Sequence, residues 1–400
     1  MANNNTSCVG TVVRGLRAPI IRENDNIVDI TVSSVLAAAK SENIELCDRD
    51  IVAVTEAVVA RAQGNYATVD AVAEDIKRKF DTGHIGVIFP ILSRNRFSVV
   101  LRGIAKGAKK ITLMLSYPSD EVGNHLVDLD MLDREGINPW TDVMNVEQFR
   151  GHFGRVEHKF TGIDYIEYYS DVIKNAGAEY EIIFSNNVKT IADYTSDVLC
   201  CDIHTRARSK RILREMGLCV YGLDDILTAP VNGSGYNADY GLLGSNISTG
   251  DKLKLFPRDC SAFVQAVQKS LLEKTGKLIE VMVYGDGAFK DPVGKIWELA
   301  DPVVSPGYTN GLVGEPNELK LKYLADNEYA DLSGDELLSA VKKAISEKDG
   351  NLTGKMAAQG TTPRQLTDLI GSLCDLTSGS GDKGTPIILI QNYFKNLSID

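Results

Sequence analysis

Short β-branched apolar runs alternate with segments of helical period through the first hundred or so residues. DIVAVTEAVVARAQG (50–64) is β-branched and largely apolar, as a strand is, VDAVAEDIKRKF (69–80) has helical spacing, and RFSVVLRGIAKG (96–107) leads into the apolar run KKITLMLSY (109–117). From about Pro118 to Thr195 acids, aromatics and turn residues crowd together and the periodicity weakens, so 118–195 reads as an inserted subdomain or extended excursion.

Order returns with SDVLCCDI (196–203), a strand, and HTRARSKRILREMG (204–217), a helix closed by Gly217. A Gly- and Asn-rich loop (230–241) precedes the apolar YGLLGSN. FPRDCSAFVQAVQKSLLEKTG (256–276) then spaces Phe263, Val267, Leu271 and Leu272 as a helix, with Pro257 near its start and Gly276 at its end. Strand LIEVMVY delivers Gly285, Asp286 and Gly287 to its C-terminal end. Capping boxes at Ser333 with Glu336, and at Thr362 with Pro363 and Gln365, predict two further helices, and PIILIQ (386–391) a last buried strand. The pattern predicts an α/β or mixed α+β chain divided at 1–117, 118–195 and 196–400.

At 400 residues the chain exceeds the roughly 250–300 at which single cores stop growing, so more than one core is expected. No stretch approaches the roughly 18 apolar residues of a membrane span, and MANNNTSC has neither the basic start nor the apolar core of a leader. A cytoplasmic protein with no membrane partner is the expectation. The net charge of -11 disfavours nucleic acid, and the basic run RARSKR (206–211) reads as a solvated helix face. Seven cysteines without a CxxC pair suit reduced thiols, with Cys200 and Cys201 as small apolar residues of a buried strand.

Several chemistries lose support. SGSGDKGT (378–385) has the composition of a phosphate loop, but a helix precedes it and a strand follows, the reverse of what a P-loop needs. No GxGxxG opens a helix after a strand, GxSxG is absent, and His84, His125, His152, His158 and His204 form no HExxH. Dehydrogenase, hydrolase and zinc-enzyme readings fall accordingly.

Three segments remain. In VYGDGAFKDPVGKIWE, Asp286 between Gly285 and Gly287 at a strand end can present its carboxylate to a divalent cation, with Lys290 to meet a phosphate. The same GDG is equally a tight turn capped by its Asp. GSNISTGD (244–251) offers Asn246, Ser248, Thr249 and Asp251 in a loop after a strand, as a phosphate or metal cradle or as a plain turn. VTEAVVARAQG sets Glu56, Arg61 and Gln63 in an apolar strand, either as a Glu56–Arg61 pair across a hairpin or as ligand groups.

In this order the segments resemble the coenzyme F-420 gamma-glutamyl ligase family. VTEAVVARAQG is similar to its N-terminal signature, YGLLGSNISTGDKLKLFPRD to its GFVCANAGVDRSN and LLPED stretch, LIEVMVYGDGAFKDPVG to its VIISDSFGRPWR loop, and TDLIGSLCDLTSGSGDKGTPIILI to its closing helix, turn and strand. The resemblance implies a gamma-glutamyl-ligase-like fold with mixed sheets in an intertwined homodimer. It also implies GTP (or ATP) as co-substrate, Mg²⁺ or Mn²⁺, and a small-molecule carboxylate joined to L-glutamate. By that carry-over Asp286 and Asp251 hold the metal, with Ser248 as the other match for the first acid. Asn246, Ser248, Thr249, Gly285 and Gly287 meet the nucleotide, and Lys290 and Arg61 are catalytic. GRPWR has become FKDP here. A non-catalytic nucleotide- or metabolite-binding protein of the same fold is the second reading.

Overall fold

A computed structural model describes residues 9–159, 161–285, 288–290, 297–299, 305–358, 365–377, 379 and 381–398. The chain opens with β1 (Val12–Leu16), α1 (Ile27–Ser41), β2 (Ile51–Thr55), α2 (Glu56–Ala62), β3 (Tyr66–Thr68) and α3 (Val69–Lys79). The strand expected over 50–64 therefore ends at Thr55. Glu, Ala and Arg favour helix, and the buried Val58, Val59 and Ala62 recur at three- and four-residue intervals, so EAVVARA winds up instead.

The next stretch builds one sheet. It contains β4 (His84–Ile88), α4 (Phe97–Gly107), β5 (Lys110–Leu115), α5 (Leu129–Glu135), β6 (Met144–Asn145), α6 (Val146–Phe153), α7 (Tyr165–Asn175), β7 (Glu179–Phe184), β8 (Asp197–Cys200), α8 (Arg206–Glu215) and β9 (Cys219–Gly222). The strand order is β6-β7-β5-β4-β8-β9, parallel except at β6. The chain thus winds outward from β4 through β5 to β7, then returns to the other side of β4 for β8 and β9. Helices α3, α4 and α7 cover one face with Val72, Leu101, Ile104 and Ile173, and Leu213 of α8 covers the other with Val198 and Val220. Gly103 lets α4 sit close on α3, since a Cβ there would meet Val72 at 2.7 Å. Residues 118–195 supply α5, β6, α6, α7 and β7, and β7 is hydrogen-bonded between β5 and β6. Cys200 and Cys201 are buried, as read from the sequence.

The remainder comprises β10 (Asn246–Thr249), β11 (Lys252–Lys254), α9 (Cys260–Thr275), β12 (Glu280–Tyr284), β13 (Ala288–Lys290), β14 (Trp297–Leu299), β15 (Gly307–Tyr308), α10 (Leu321–Tyr323), α11 (Gly334–Glu347), α12 (Leu366–Thr377) and β16 (Ile387–Gln391). Segment 244–251, expected as a loop after a strand, is itself a hairpin: β10 pairs with β11, and β11 with β3, all antiparallel. Alternating Lys and Leu in KLK give that strand its two faces. Helix α9 begins at Cys260, after a left-handed Asp259; ahead of it Phe256 and Arg258 are bonded to Asn65 and Gln63, and Leu272 lies on the helix's exposed side. Ser333 is the N-cap of α11 but makes no side-chain capping bond. Thr362 and Pro363 lie outside the described residues.

A second sheet has the order β1-β16-β2-β12-β15. Alternate residues of β2, β12 and β16 face opposite sides. Val52, Val54, Val281 and Val283 pack against α1 and α9, while Ile51, Ala53, Met282 and Ile390 pack with Ile370 and Cys374 of α12. Strand β12 runs parallel to β2 with Thr55 opposite Tyr284, so Glu56 and Gly285 leave the sheet side by side.

Candidate functional site

Two sheets meet where β2 ends. Lys254, last residue of β11, lies opposite Asn246 on β10 and Tyr66 on β3. Its Nζ is 2.7 Å from Glu56 Oε1, the first residue of α2, and about nine-tenths of each side chain is buried (relative exposure 10% and 11%). Ions are removed from water at such cost that both persist here only as partners.

The buried Asn65 and the half-buried Gln63 fix the surrounding chain. Asn65 donates to the carbonyls of Tyr236 and Phe256 and accepts from Tyr236 N and from Arg258 Nη1 at 2.7 Å. Gln63 and the Arg258 backbone exchange two bonds, at 2.7 and 2.8 Å. The Arg258 guanidinium stacks 4.9 Å from the Tyr236 ring centroid. The loop 230–241 is thereby held against β3, and α2 against the approach to α9.

Of the residues singled out from the sequence, Gly285 stands beside Glu56, and Asn246 faces Lys254 across the hairpin. Ser248 and Thr249 follow Asn246 along β10 and are exposed. Asp251 is at the hairpin tip, 76% exposed, and pairs with Arg102 Nη2 of α4 at 2.9 Å. Arg61 is exposed on α2, five residues and so about 140° round the helix from Glu56. Of the two readings of this segment, a Glu56–Arg61 pair across a hairpin does not form: helix carries the two residues apart, and Glu56 pairs with Lys254. Lys290 ends β13, whose backbone pairs with Trp297. Asp286 and Gly287 lie outside the described residues.

Sequence reasoning missed Lys254, Asn65 and Arg258. A signal was present for the first: in KLKLF (252–256) Lys254 stands between leucines that a strand would bury, and it needs a counter-ion.

The groups nearby point away from covalent catalysis. Burial, with Glu56 and Asp259 adding to it, pushes the Cys260 thiol up to about 12, and burial above all raises the Tyr284 phenol further still. Both stay protonated near neutrality, and a protonated thiol is a poor nucleophile. Among the described residues no three His, Cys, Asp or Glu side chains converge as a metal cage.

A model of the F420-0:gamma-glutamyl ligases matches residues 15–392, which places the protein among the ligases. More particularly, the chain belongs to the F420-0:gamma-glutamyl ligase family, in agreement with the resemblance read from its segments. No curated protein matches the sequence significantly. No helix among the described residues is long and apolar enough to cross a membrane.

Proposed function

We propose that the chain is a metal- and nucleoside-triphosphate-dependent ligase that joins a small-molecule carboxylate to the α-amine of L-glutamate, as a homodimer. The reading is carried by the meeting of three separate segments at one place: the end of β2 with Glu56, the hairpin with Asn246 and Lys254, and Gly285 at the end of β12. The buried Lys254–Glu56 pair lies where β2 ends, and the neighbouring strand there leads into Gly285-Asp286-Gly287, whose glycine backbone would admit close approach of a phosphate or carboxylate.

The donors available are carboxylate oxygens, the set that hard divalent cations prefer. Asp286 and Asp251 are assigned as ligands, with Glu56 as a further oxygen donor next to Gly285. A bound Mg²⁺ or Mn²⁺ would neutralise charge on the transferring phosphoryl group. An acceptor carboxylate oxygen bonds to the γ-phosphorus as the nucleoside diphosphate leaves. The glutamate nitrogen then bonds to the acyl carbon, inorganic phosphate departs, and the amine loses a proton. Activation is required because a free carboxylate is a poor electrophile. Lys290 is assigned to supply positive charge to the phosphates, and Arg61, on the exposed side of α2, to orient a substrate carboxylate.

The test is release of GDP or ADP. Diphosphate should appear only when the divalent cation, L-glutamate and an acceptor acid are all present, together with one phosphate per amide formed. Release that proceeds unchanged without glutamate overturns the ligase and leaves a nucleotide hydrolase, whereas nucleotide that binds with no release under any of these conditions leaves a non-catalytic nucleotide-binding protein.

A further inference from the structure

At β4 the winding of the six-stranded sheet reverses: the chain leaves β4 into α4 on one face, and leaves the neighbouring β8 into α8 on the other. Open parallel sheets take ligands outside the carboxyl ends of their strands at such a reversal. A pocket opens there, about 440 Å³ counted out to its mouth, at the small end of the roughly 300–1,000 Å³ usual for ligand clefts. Ile91, just beyond β4, and Ile203, just beyond β8, line it with Phe97, Val100 and Leu242. Its body is therefore apolar.

The charged groups around this body are already occupied. Arg96 reaches the pocket from the start of α4 but is engaged in an interaction of its own. At the start of α8 the Glu121 carboxylate accepts from the backbone N–H groups of Ile203, His204 and Thr205, at 2.5, 3.0 and 3.1 Å, so that helix end is satisfied as well. Cys201 also lines the pocket, and burial above all raises its thiol well beyond the ordinary range, which keeps it protonated and neutral. An ion entering here would lose its water and meet no free counter-charge among the described lining residues. One polar group is left over. Ser245 lines the pocket at 4% exposure, and its hydroxyl has no hydrogen-bond partner among the described residues. Buried hydroxyls nearly always have a partner, and an unmade bond in apolar surroundings is destabilising. A single uncharged donor or acceptor on a ligand would complete the site.

We infer that this crevice binds a small, uncharged, mainly apolar molecule bearing one hydroxyl or carbonyl group, with its apolar body among Phe97, Val100 and Ile203 and its polar atom on Ser245 Oγ. Ser245 directly precedes β10, and Ile247 N donates to Asn95 O at 2.8 Å, so the rim of the crevice is bonded to that strand. The inference does not depend on the ligase reading, since it concerns binding alone.

Saturation-transfer NMR on the full chain at pH 7 tests it, with 4-methylphenol, toluene and 4-methylbenzoate as probes that share one ring and differ in their polar group. 4-Methylphenol should bind saturably and roughly fivefold more tightly than toluene, the effect of one hydrogen bond of ordinary strength. 4-Methylbenzoate, charged at this pH, should bind more weakly than either. Ser245→Ala should bring 4-methylphenol down to the affinity of toluene while toluene still binds, an outcome that misfolding cannot imitate. Ile203→Trp, at a half-buried position in the wall, should abolish binding of both. Absence of saturable 4-methylphenol binding overturns the proposal. Equal wild-type affinity for 4-methylphenol and toluene overturns it too, since that is the result expected if water alone satisfies Ser245. A preference for the phenol that outlasts Ser245→Ala, tightest binding of 4-methylbenzoate, or affinities untouched by Ile203→Trp do the same.

Discussion

Lys254 and Glu56 stand 198 positions apart in sequence, yet their 2.7 Å contact ties the β10–β11 hairpin to the end of β2. Removing one partner leaves the other charge buried, at a cost of about 3–5 kcal/mol, whereas replacing both with apolar residues of similar size is often close to neutral. Urea unfolding of Glu56→Gln and Lys254→Met should show that loss in each. The pair Glu56→Leu/Lys254→Met should return to within about 2 kcal/mol of the wild type while remaining inactive as a ligase. A double variant as unstable as the sum of the singles would mean that the two charges do not act on one another.

Local pattern revealed most elements and little of their partnership. PIILIQ reads as buried strand because five apolar residues in succession leave no polar face, and it lies between β1 and β2. The helices α3, α8 and α9 follow from spacing that a short window contains. What the windows did not contain was Lys254: its partner is fixed only when β11 pairs with β3 and α2 turns Arg61 away. Helix α2 was obscured by the apolar strand ahead of it, since IVAVT and EAVVA share composition and differ in period over too few residues to separate. The weak periodicity of 118–195 reflects short helices around β7, whose partner strand β5 is more than sixty residues earlier in the chain.

Thiol chemistry follows from burial. Cys200, Cys201, Cys260 and Cys374 are buried with their thiols held above the ordinary range, Cys260 at about 12, so thiolate is scarce in the native protein at pH 8. Cys219 is exposed, but partial burial and the nearby Asp197 and Asp81 raise its pKa too. In a Cys8→Ser background, iodoacetamide followed by mass spectrometry should label Cys47 and Cys219 alone. The Cys219 rate should climb roughly tenfold per pH unit until its raised pKa is passed. Labelling of Cys260 at the Cys219 rate would place it outside the core.

Assembly is the next expectation. The proposed homodimer should give a light-scattering mass near twice the 43.6 kDa of one chain at micromolar concentration. A monomer mass that persists with nucleotide and Mn²⁺ present would remove any role for a shared interface.

The assignment of the metal rests on Asp286, and its test separates that role from an ordinary turn. Asp286→Asn keeps shape and hydrogen bonding but removes the charge that holds a hard cation. Calorimetric titration of Mn²⁺, with a non-hydrolysable GTP analogue present, should show affinity at least tenfold weaker and an unchanged melting temperature. A turn-capping Asp would instead be replaced with almost no effect, because Asn suits such turns equally. Asp251 needs its own arm, since its carboxylate already pairs with Arg102 at 2.9 Å on an exposed tip. Losing that surface pair should cost under about 1 kcal/mol of stability, so any large fall in Mn²⁺ affinity in Asp251→Asn reports ligation and not folding. Arg102→Gln sharpens the comparison: if Asp251 is a ligand, freeing it from the guanidinium should tighten Mn²⁺ binding, whereas if it is only an ion-pair partner the affinity should not move. Should Ser248→Ala impair the metal while Asp251→Asn does not, the hydroxyl on β10 takes the place of the first acid. Wild-type affinity in Asp286→Asn would dismiss the strand-end carboxylate altogether and leave Glu56, already neutralised by Lys254, as the nearest described acid to Gly285 in the strand register.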